Sequence, residues 1–309
     1  MSDFVKMAMT QLPILPGEYL PGYISRLRRA FFYVDEREFL KLTDGVKLGK
    51  LDKLLPKSIL RLVYLNLRKG QRGKVLHNHV SSRYWRGFLE ESVLDEHVTK
   101  ELVSKKSRRA LFKGEELLGD LRKPKFCPTC VTKDSERFGI ALWRSNHQIP
   151  SVFVCPEHKA PLTWCEIGPC STLIDYPSPQ FVPNQIQRQC LMTGENTDLT
   201  LKSVYLLGQK SEINRSAISE LKNEVKAGLG AKTVSSRVTF KLDVVKEWNA
   251  YVDSRLADFV PNLNKHSSLL SLKRFHPNEI AADKSLTHPI MFLLLLQFTE
   301  NCSGARILS

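Results

Sequence analysis

The chain has 309 residues, 42% hydrophobic and 25% charged, with 16 glycines and 16 prolines; this suggests roughly two domains with ample core and excludes collagen-like, low-complexity and generally disordered chains. Lysine and arginine number 46 against 32 acidic residues, a formal charge of +14 that suits a polyanionic partner, nucleic acid ahead of an anionic membrane surface. The longest wholly apolar run near the end, residues 289–296, is about half of the ~20 residues a transmembrane helix needs, so no span is expected. Asp3, Pro13 and Pro16 interrupt any signal-peptide pattern, and seven cysteines are an odd number for a disulfide scaffold. The expected location is the cytoplasm, with thiols reduced.

Taken in chain order, Pro13, Pro16 and Gly17 mark an irregular lead-in before Gly22. Tyr23, Ile24, Leu27 and Phe31 recur at helical spacing among Arg26, Arg28 and Arg29, predicting a helix over about 22–33. Asp35 caps a second helix that Gly45 closes, and Pro56 opens a third that ends at Lys69 and Gly70. Three short helices with tight turns are compatible with a helix-turn-helix. Residues 81–104 predict a further helix, followed by a basic neck: Lys105, Lys106, Arg108, Arg109, Lys113, Arg122, Lys123 and Lys125. Such a run is commonly a solvated face. Pro169, Pro177, Pro179 and Pro183 make residues 166–210 read as an irregular linker. Beyond it, Asn214 or Ser216 caps a helix that stops at Gly228, and TVSSRVTF predicts a strand or extended turn. Residues 242–259 predict a helix, and residues 287–299 predict one apolar on nearly all sides, the centre of a C-terminal core.

The strongest chemical signal is Cys127, Pro128, Thr129, Cys130, then, after 24 residues, Cys155, Pro156, Glu157, His158. Two residues between donors is knuckle spacing, which aims both at one ion, and two knuckles complete a tetrahedral Cys3His zinc site. With all four positions filled by protein, the zinc is expected to be structural, its binding energy being folding energy. Cys165, Cys170 and Cys190 lack an evident fourth ligand, so they and Cys302 read as buried thiols rather than a second site. His147, between the knuckles, reads as a hydrogen-bonded structural histidine in preference to a competing ligand. The phosphate loop, the nucleophile elbow, the zinc-protease histidine pair and an acidic trio are not seen in the sequence, so catalysis is not expected.

The stretch FCPTCVTKDSERFGIALWRSNHQIPSVFVCPEHKAPL resembles the zinc-finger signature of the TniQ/TnsD family, target-site selectors of bacterial cut-and-paste transposons. PGEYLPGYISRLRRA is similar to that family's opening, in which a glutamate-containing turn leads into a first helix with an arginine, here Arg26. The C-terminal part, from KAGLGAKTVSSRVTF to the last helix, is similar to the TnsD branch. The resemblance covers most of the chain, with only the zinc segment highly specific. It implies recruitment rather than catalysis: members bind double-stranded DNA at an attachment site, directly or by riding on a CRISPR effector complex, and engage the AAA+ ATPase TnsC, which brings the transposase. Effector-riding members usually carry a second, ribbon-like finger, whereas this chain has only the imperfect Cys165, Cys170, Cys190 set. A TnsD-like direct reader at the bacterial nucleoid is therefore favoured over a guide-dependent adaptor. Direct readers are often longer, which points to a short member or one lacking further recognition helices.

The expected architecture is mainly α and multi-module: an N-terminal helix-turn-helix-like domain (1–125), a Cys3His zinc finger (126–165), an irregular linker (166–210) and a C-terminal helical DNA-binding module (211–309). Lys105, Lys106, Arg108, Arg109 and Lys113 are expected to track phosphate, with Arg144 a further candidate between the knuckles. Lys232, Arg237, Lys241, Lys273, Arg274 and His276 are expected around helix starts, where side chains reach a groove.

Overall fold

The structure, a computed structural model, describes residues 12–31, 75, 78–79, 124–165, 178–208, 211–235, 237–259, 276–282 and 289–304. The second and third predicted helices, the 81–104 helix, the basic neck through Lys123, and Lys273 and Arg274 lie outside these residues, as does the helix-turn-helix they would form. The described residues fall into two compact units, one holding positions up to Met192 and the other those from Thr193 onward. Helix predominates overall, with small sheets in both.

In the first unit, α1 (Leu20–Phe31) buries Leu20, Tyr23, Ile24 and Leu27, spaced to line one helical face. It starts two residues before the predicted helix for two physical reasons. Pro21 is tolerated in a first turn, where its missing N–H has no helical partner. Gly22 is not punctuation but a point of close approach, since a Cβ there would stand 3.0 Å from Cδ1 of Trp143. The lead-in before α1 is an ordered turn built on Glu18. Arg26 grips this buried carboxylate with two bonds, Nε to Oε1 at 2.8 Å and Nη2 to Oε2 at 2.7 Å, and Nη2 also donates to the Pro13 carbonyl at 2.9 Å. The Leu15 N–H donates to Oε2 at 2.9 Å.

The same turn is hydrogen-bonded along the segment around Trp143. Tyr19 N–H donates to Trp143 O at 2.5 Å and Ser145 N–H to Gly17 O at 2.8 Å, either side of a Glu18–Arg144 bridge. A three-stranded antiparallel sheet completes the unit: β1 (Lys125–Phe126), β2 (Thr163–Cys165) and β3 (Gln187–Gln189), with β2 central. Its registers pair Phe126 with Thr163, and Trp164 with Arg188. Between β1 and β2 lies α2 (Pro128–Phe138). Phe126 and Trp143 meet edge to face at 6.0 Å, with Cys165, Val182, Tyr19, Val131 and Ile186 packed around them. Lead-in and finger, expected as separate domains, thus belong to one unit.

The second unit contains α3 (Gly194–Gly208), α4 (Ser211–Gly228), β4 (Lys232–Val234), β5 (Arg237–Thr239), α5 (Leu242–Phe259), α6 (Pro277–Ala281) and α7 (Pro289–Ser303). Helix α7, buried from Pro289 through Thr299, packs against α3, α4, α5 and α6, as its all-round apolarity predicts. Trp248 and Tyr251 of α5 pack against Phe298 of α7, with the three ring centroids 5.4–6.1 Å apart. Helix α4 begins before the predicted caps, so Asn214 and Ser216 are interior positions, with Ile218, Leu221 and Val225 buried further along.

Two expectations are corrected here. The irregular linker over 166–210 contains β3 and the fifteen-residue helix α3. The buried face of α3 is largely polar, with Asn196, Thr200, Lys202 and Ser203 beside Leu199, while Leu201 and Tyr205 face outward, so the apolar period is inverted. Buried polar groups are paired instead: Lys202 Nζ binds Asp198 at 2.7 Å and Glu300, and Thr193 Oγ1 accepts from the Asn196 N–H at 3.0 Å. Second, Lys232 and Arg237 sit on a β-hairpin, not at helix starts, because Ser235 reverses the chain with φ 48° and the β-branched residues pair across it.

A buried ion pair broken on one side leaves an uncompensated charge. Arg26→Met is expected to lower stability by about 3–5 kcal/mol in urea denaturation followed by tryptophan fluorescence. Adding Glu18→Gln should recover part of that loss, and a single change costing under ~1 kcal/mol would show that the turn does not depend on the pair.

Candidate metal centre

Cys127 follows β1 directly, and Pro128 opens α2 behind it, so Cys130 projects from the first helical turn. The Val131 N–H donates to the Cys127 carbonyl at 3.0 Å, closing the first knuckle. The second is a tight turn: Lys159 N–H donates to Cys155 O at 2.9 Å, Cys155 N–H to Ala160 O at 2.7 Å, and His158 N–H to Cys155 Sγ at 3.4 Å. Lys159 takes the left-handed φ of 53° that turn needs.

These turns bring the four sequence-predicted donors within 4.8 Å of one another. Cys130 and Cys155 sulfurs are 3.7 Å apart, and His158 Nδ1 lies 3.6, 3.3 and 3.5 Å from Cys127, Cys130 and Cys155. A tetrahedral ion with sulfur at ~2.3 Å and nitrogen at ~2.0 Å requires sulfur–sulfur edges of about 3.8 Å and sulfur–nitrogen edges of about 3.5 Å. These four edges match. The three cysteines are buried, and the donor set can hold a metal ion compatible with zinc. Hydrogen bonds from Cys130 and Cys155 push the Cys127 thiol far below its ordinary range, and contacts with Cys127 push those two up. A cation held between the sulfurs would favour the thiolate form of all three.

His147 lies outside this four-donor group but against it. Its Nε2 is 3.6 Å from Cys155 Sγ and 3.9 Å from Cys130 Sγ, and burial lowers its pKa to about 3, which keeps the ring neutral. Cys165 and Cys190 are buried thiols pushed up to about 12 and about 11, in both cases chiefly by desolvation. Cys170 lies outside the described residues.

The sequence did not reveal what braces the knuckles. Arg144 grips the buried carboxylate of Asp134, one turn after Cys130, through Nη2 at 2.7 Å and Nε at 3.1 Å. Its Nη1 reaches Glu157 inside the second knuckle at 2.5 Å. The expected phosphate contact is thus committed to two carboxylates. Lys125, expected as a neck cation, is buried instead. Its Nζ donates to the carbonyls of Ile149 at 2.7 Å, Val152 at 2.8 Å and Pro150 at 3.4 Å, fixing the approach to Cys155. Gln148 lies beside it, accepting from the Lys125 N–H at 3.0 Å and donating to its carbonyl at 2.6 Å.

Of the other candidates, Lys232, Arg237 and Lys241 are exposed in the second unit. His276 caps α6, its Nδ1 accepting from the Asn278 N–H at 3.3 Å. No helix among the described residues is long and apolar enough to cross a membrane.

Cys130→Ser is expected to abolish stoichiometric zinc, measured by chelator release with a metallochromic dye, and to unfold the surrounding module. Full zinc with unaltered melting would disprove the ligand set. Arg144→Ala should cost about 2–3 kcal/mol by stranding buried Asp134, without altering the salt dependence of DNA binding. Unchanged stability with a slope smaller by about 0.9 would instead place Arg144 on a phosphate.

No curated protein matches the chain significantly. The TniQ family model matches residues 9–162, a span that takes in the Glu18 turn, α1, both knuckles and their Arg144 brace. The match supports the TniQ family.

Proposed function

We propose that this protein selects target sites for a bacterial cut-and-paste transposon, binding double-stranded DNA at an attachment site and recruiting the AAA+ regulator TnsC, through which the transposase arrives. The TniQ domain carries this reading: it implies a transposition-associated function, and TniQ-family proteins are non-catalytic transposition adaptors. In this reading Cys127, Cys130, Cys155 and His158 hold a structural zinc ion. With four protein donors no position is left for a reactive water, so the ion fixes two turns and activates nothing.

The charge of +14 supports direct, TnsD-like DNA reading in association with the nucleoid. Lys105, Lys106, Arg108, Arg109 and Lys113 are assigned to phosphate contact, with Lys232, Arg237, Lys241, Lys273, Arg274 and His276 contributing from the C-terminal module. Arg144 is left out, because its fork is already occupied by Asp134 and Glu157.

The test is selection of bound sequences from a random duplex library at about 150 mM salt, where the screening length is about 8 Å. One long, asymmetric enriched motif is the expected result. Sequence-indifferent binding that only fades as salt rises would overturn direct reading and favour an adaptor riding on a CRISPR effector complex. Arg108→Ala with Arg109→Ala is expected to reduce the slope of log affinity against log salt by about 1.8, at about 0.9 per contact. An unchanged slope removes the neck from the footprint.

A further inference from the structure

The β4–β5 hairpin has two chemically different faces. Its register pairs Lys232 with Thr239, Thr233 with Val238, and Val234 with Arg237. Directly opposed residues of an antiparallel pair share a face, and successive residues alternate. Thr233 and Val238 therefore occupy one face, Val238 buried where β5 packs against α6 and Thr233 exposed beside it. The next residue after β5 fixes this attachment: Phe240 is buried, and its N–H donates to Asn278 Oδ1 at 3.0 Å. Lys232, Val234, Arg237 and Thr239 make up the other face, and all four are exposed.

That outer face is unusual in two respects. Among the described residues the side chains of Lys232, Arg237 and the neighbouring Lys241 make no ion pair or hydrogen bond. Between the cations stands Val234, 70% exposed, with Leu242, 71% exposed, just beyond the ribbon. Exposed cations on a short edge strand have an ordinary use in preventing edge-to-edge pairing. That use does not account for an apolar side chain held in solvent between them on a hairpin whose rear face is anchored.

We infer that the β4–β5 ribbon is a DNA-contacting element that lies in a groove of the duplex, Lys232 and Arg237 reaching the flanking phosphates and Val234 facing the base edges. The inference rests on the proposed DNA-binding function and assigns a contact element within it. Two strands ~4.8 Å apart form a ribbon that a major groove about 12 Å wide admits. Charge complementarity selects the occupant, since a polyanion satisfies both cations at once. An apolar side chain at the centre suits the groove floor, where the thymine methyl is the apolar feature.

The experiment uses the full zinc-loaded chain and a fluorescent random-sequence duplex, titrated by anisotropy at salt concentrations from about 50 to about 200 mM. The Lys232→Ala/Arg237→Ala variant should reduce the slope of log affinity against log salt by about 1.8, at about 0.9 per phosphate contact. A charge-preserving Lys232→Arg/Arg237→Lys variant should hold the slope, and Lys133→Ala/Lys246→Ala, exposed on α2 and α5, should leave it closer to wild type. Val234→Glu should weaken binding at least about tenfold, with thermal melting of every variant unchanged. If the wild-type chain binds no duplex, the proposed function fails. If it binds and the ribbon variants match wild type, or the α2/α5 control loses as much, the ribbon assignment is overturned. Loss of poly-glutamate binding with duplex binding intact would assign the face to an acidic protein and overturn it as well.

Discussion

Three buried cysteine sulfurs and a half-buried imidazole packed within 4.8 Å pose an electrostatic problem that a cation would resolve. Their mutual contacts push the Cys127 thiol down and those of Cys130 and Cys155 up. A bound ion would favour ionisation of all three and would be held by Cys127, Cys130, Cys155 and His158. The surrounding structure fits this constraint. Pro128 and Lys159 shape the two turns, Lys125 gathers the carbonyls of the loop leading to Cys155, and Arg144 ties the helix after one knuckle to the carboxylate inside the other. Each element limits how far a donor drifts, which is how surrounding groups tune a metal site.

The brace also extends the metal centre toward the N-terminus. Backbone atoms of Arg144 bridge to Glu18, whose carboxylate Arg26 grips, so the knuckles and α1 are linked through one strand-like contact at Glu18. Trp143 lies in the same segment, pressed against Gly22 on one side and Phe126 on the other. The donor cluster is therefore joined through hydrogen bonds to the Glu18 turn. Buried charge pairs of this sort add little net stability over apolar packing, yet removal of one partner is costly, which makes them effective at specifying one arrangement.

The knuckles are legible in the sequence because ligand spacing is local: two residues between donors is a statement about a single turn. The C-terminal helices are legible for the same reason, as in α5, whose predicted ends match the structure. What the sequence conceals is the use of charge. Arg144 and Lys125 look like members of a basic surface until the fold delivers Asp134, Glu157 and a ring of carbonyls to them. Helix α3 escapes a periodicity reading because polar residues fill its buried face, some paired locally, as Lys202 is with Asp198, and some at long range, as Lys202 is with Glu300. Gly22 reads as a break, although its role is set by Trp143 far along the chain. Long-range pairing leaves no periodic trace, so these features emerge only in three dimensions.

In the second unit the apolar helix α7 has an indirect consequence at the surface. Polar groups fix its register as much as apolar ones: Gln297 accepts from the Tyr251 hydroxyl at 2.8 Å and donates to the Glu195 carbonyl at 2.9 Å and to Asp198 at 3.0 Å. A helix apolar all round would otherwise have several equivalent rotations about its axis, and buried hydrogen bonds select one. Helix α6 packs on α7, and β5 packs on α6, so the hairpin is held from behind by a core with a defined orientation. A ribbon fixed in this way has little ordering entropy left to lose when it meets a partner, whereas a free loop of the same charge would lose more. Rigid support thus sets Lys232 and Arg237 apart from cations carried on an unanchored loop.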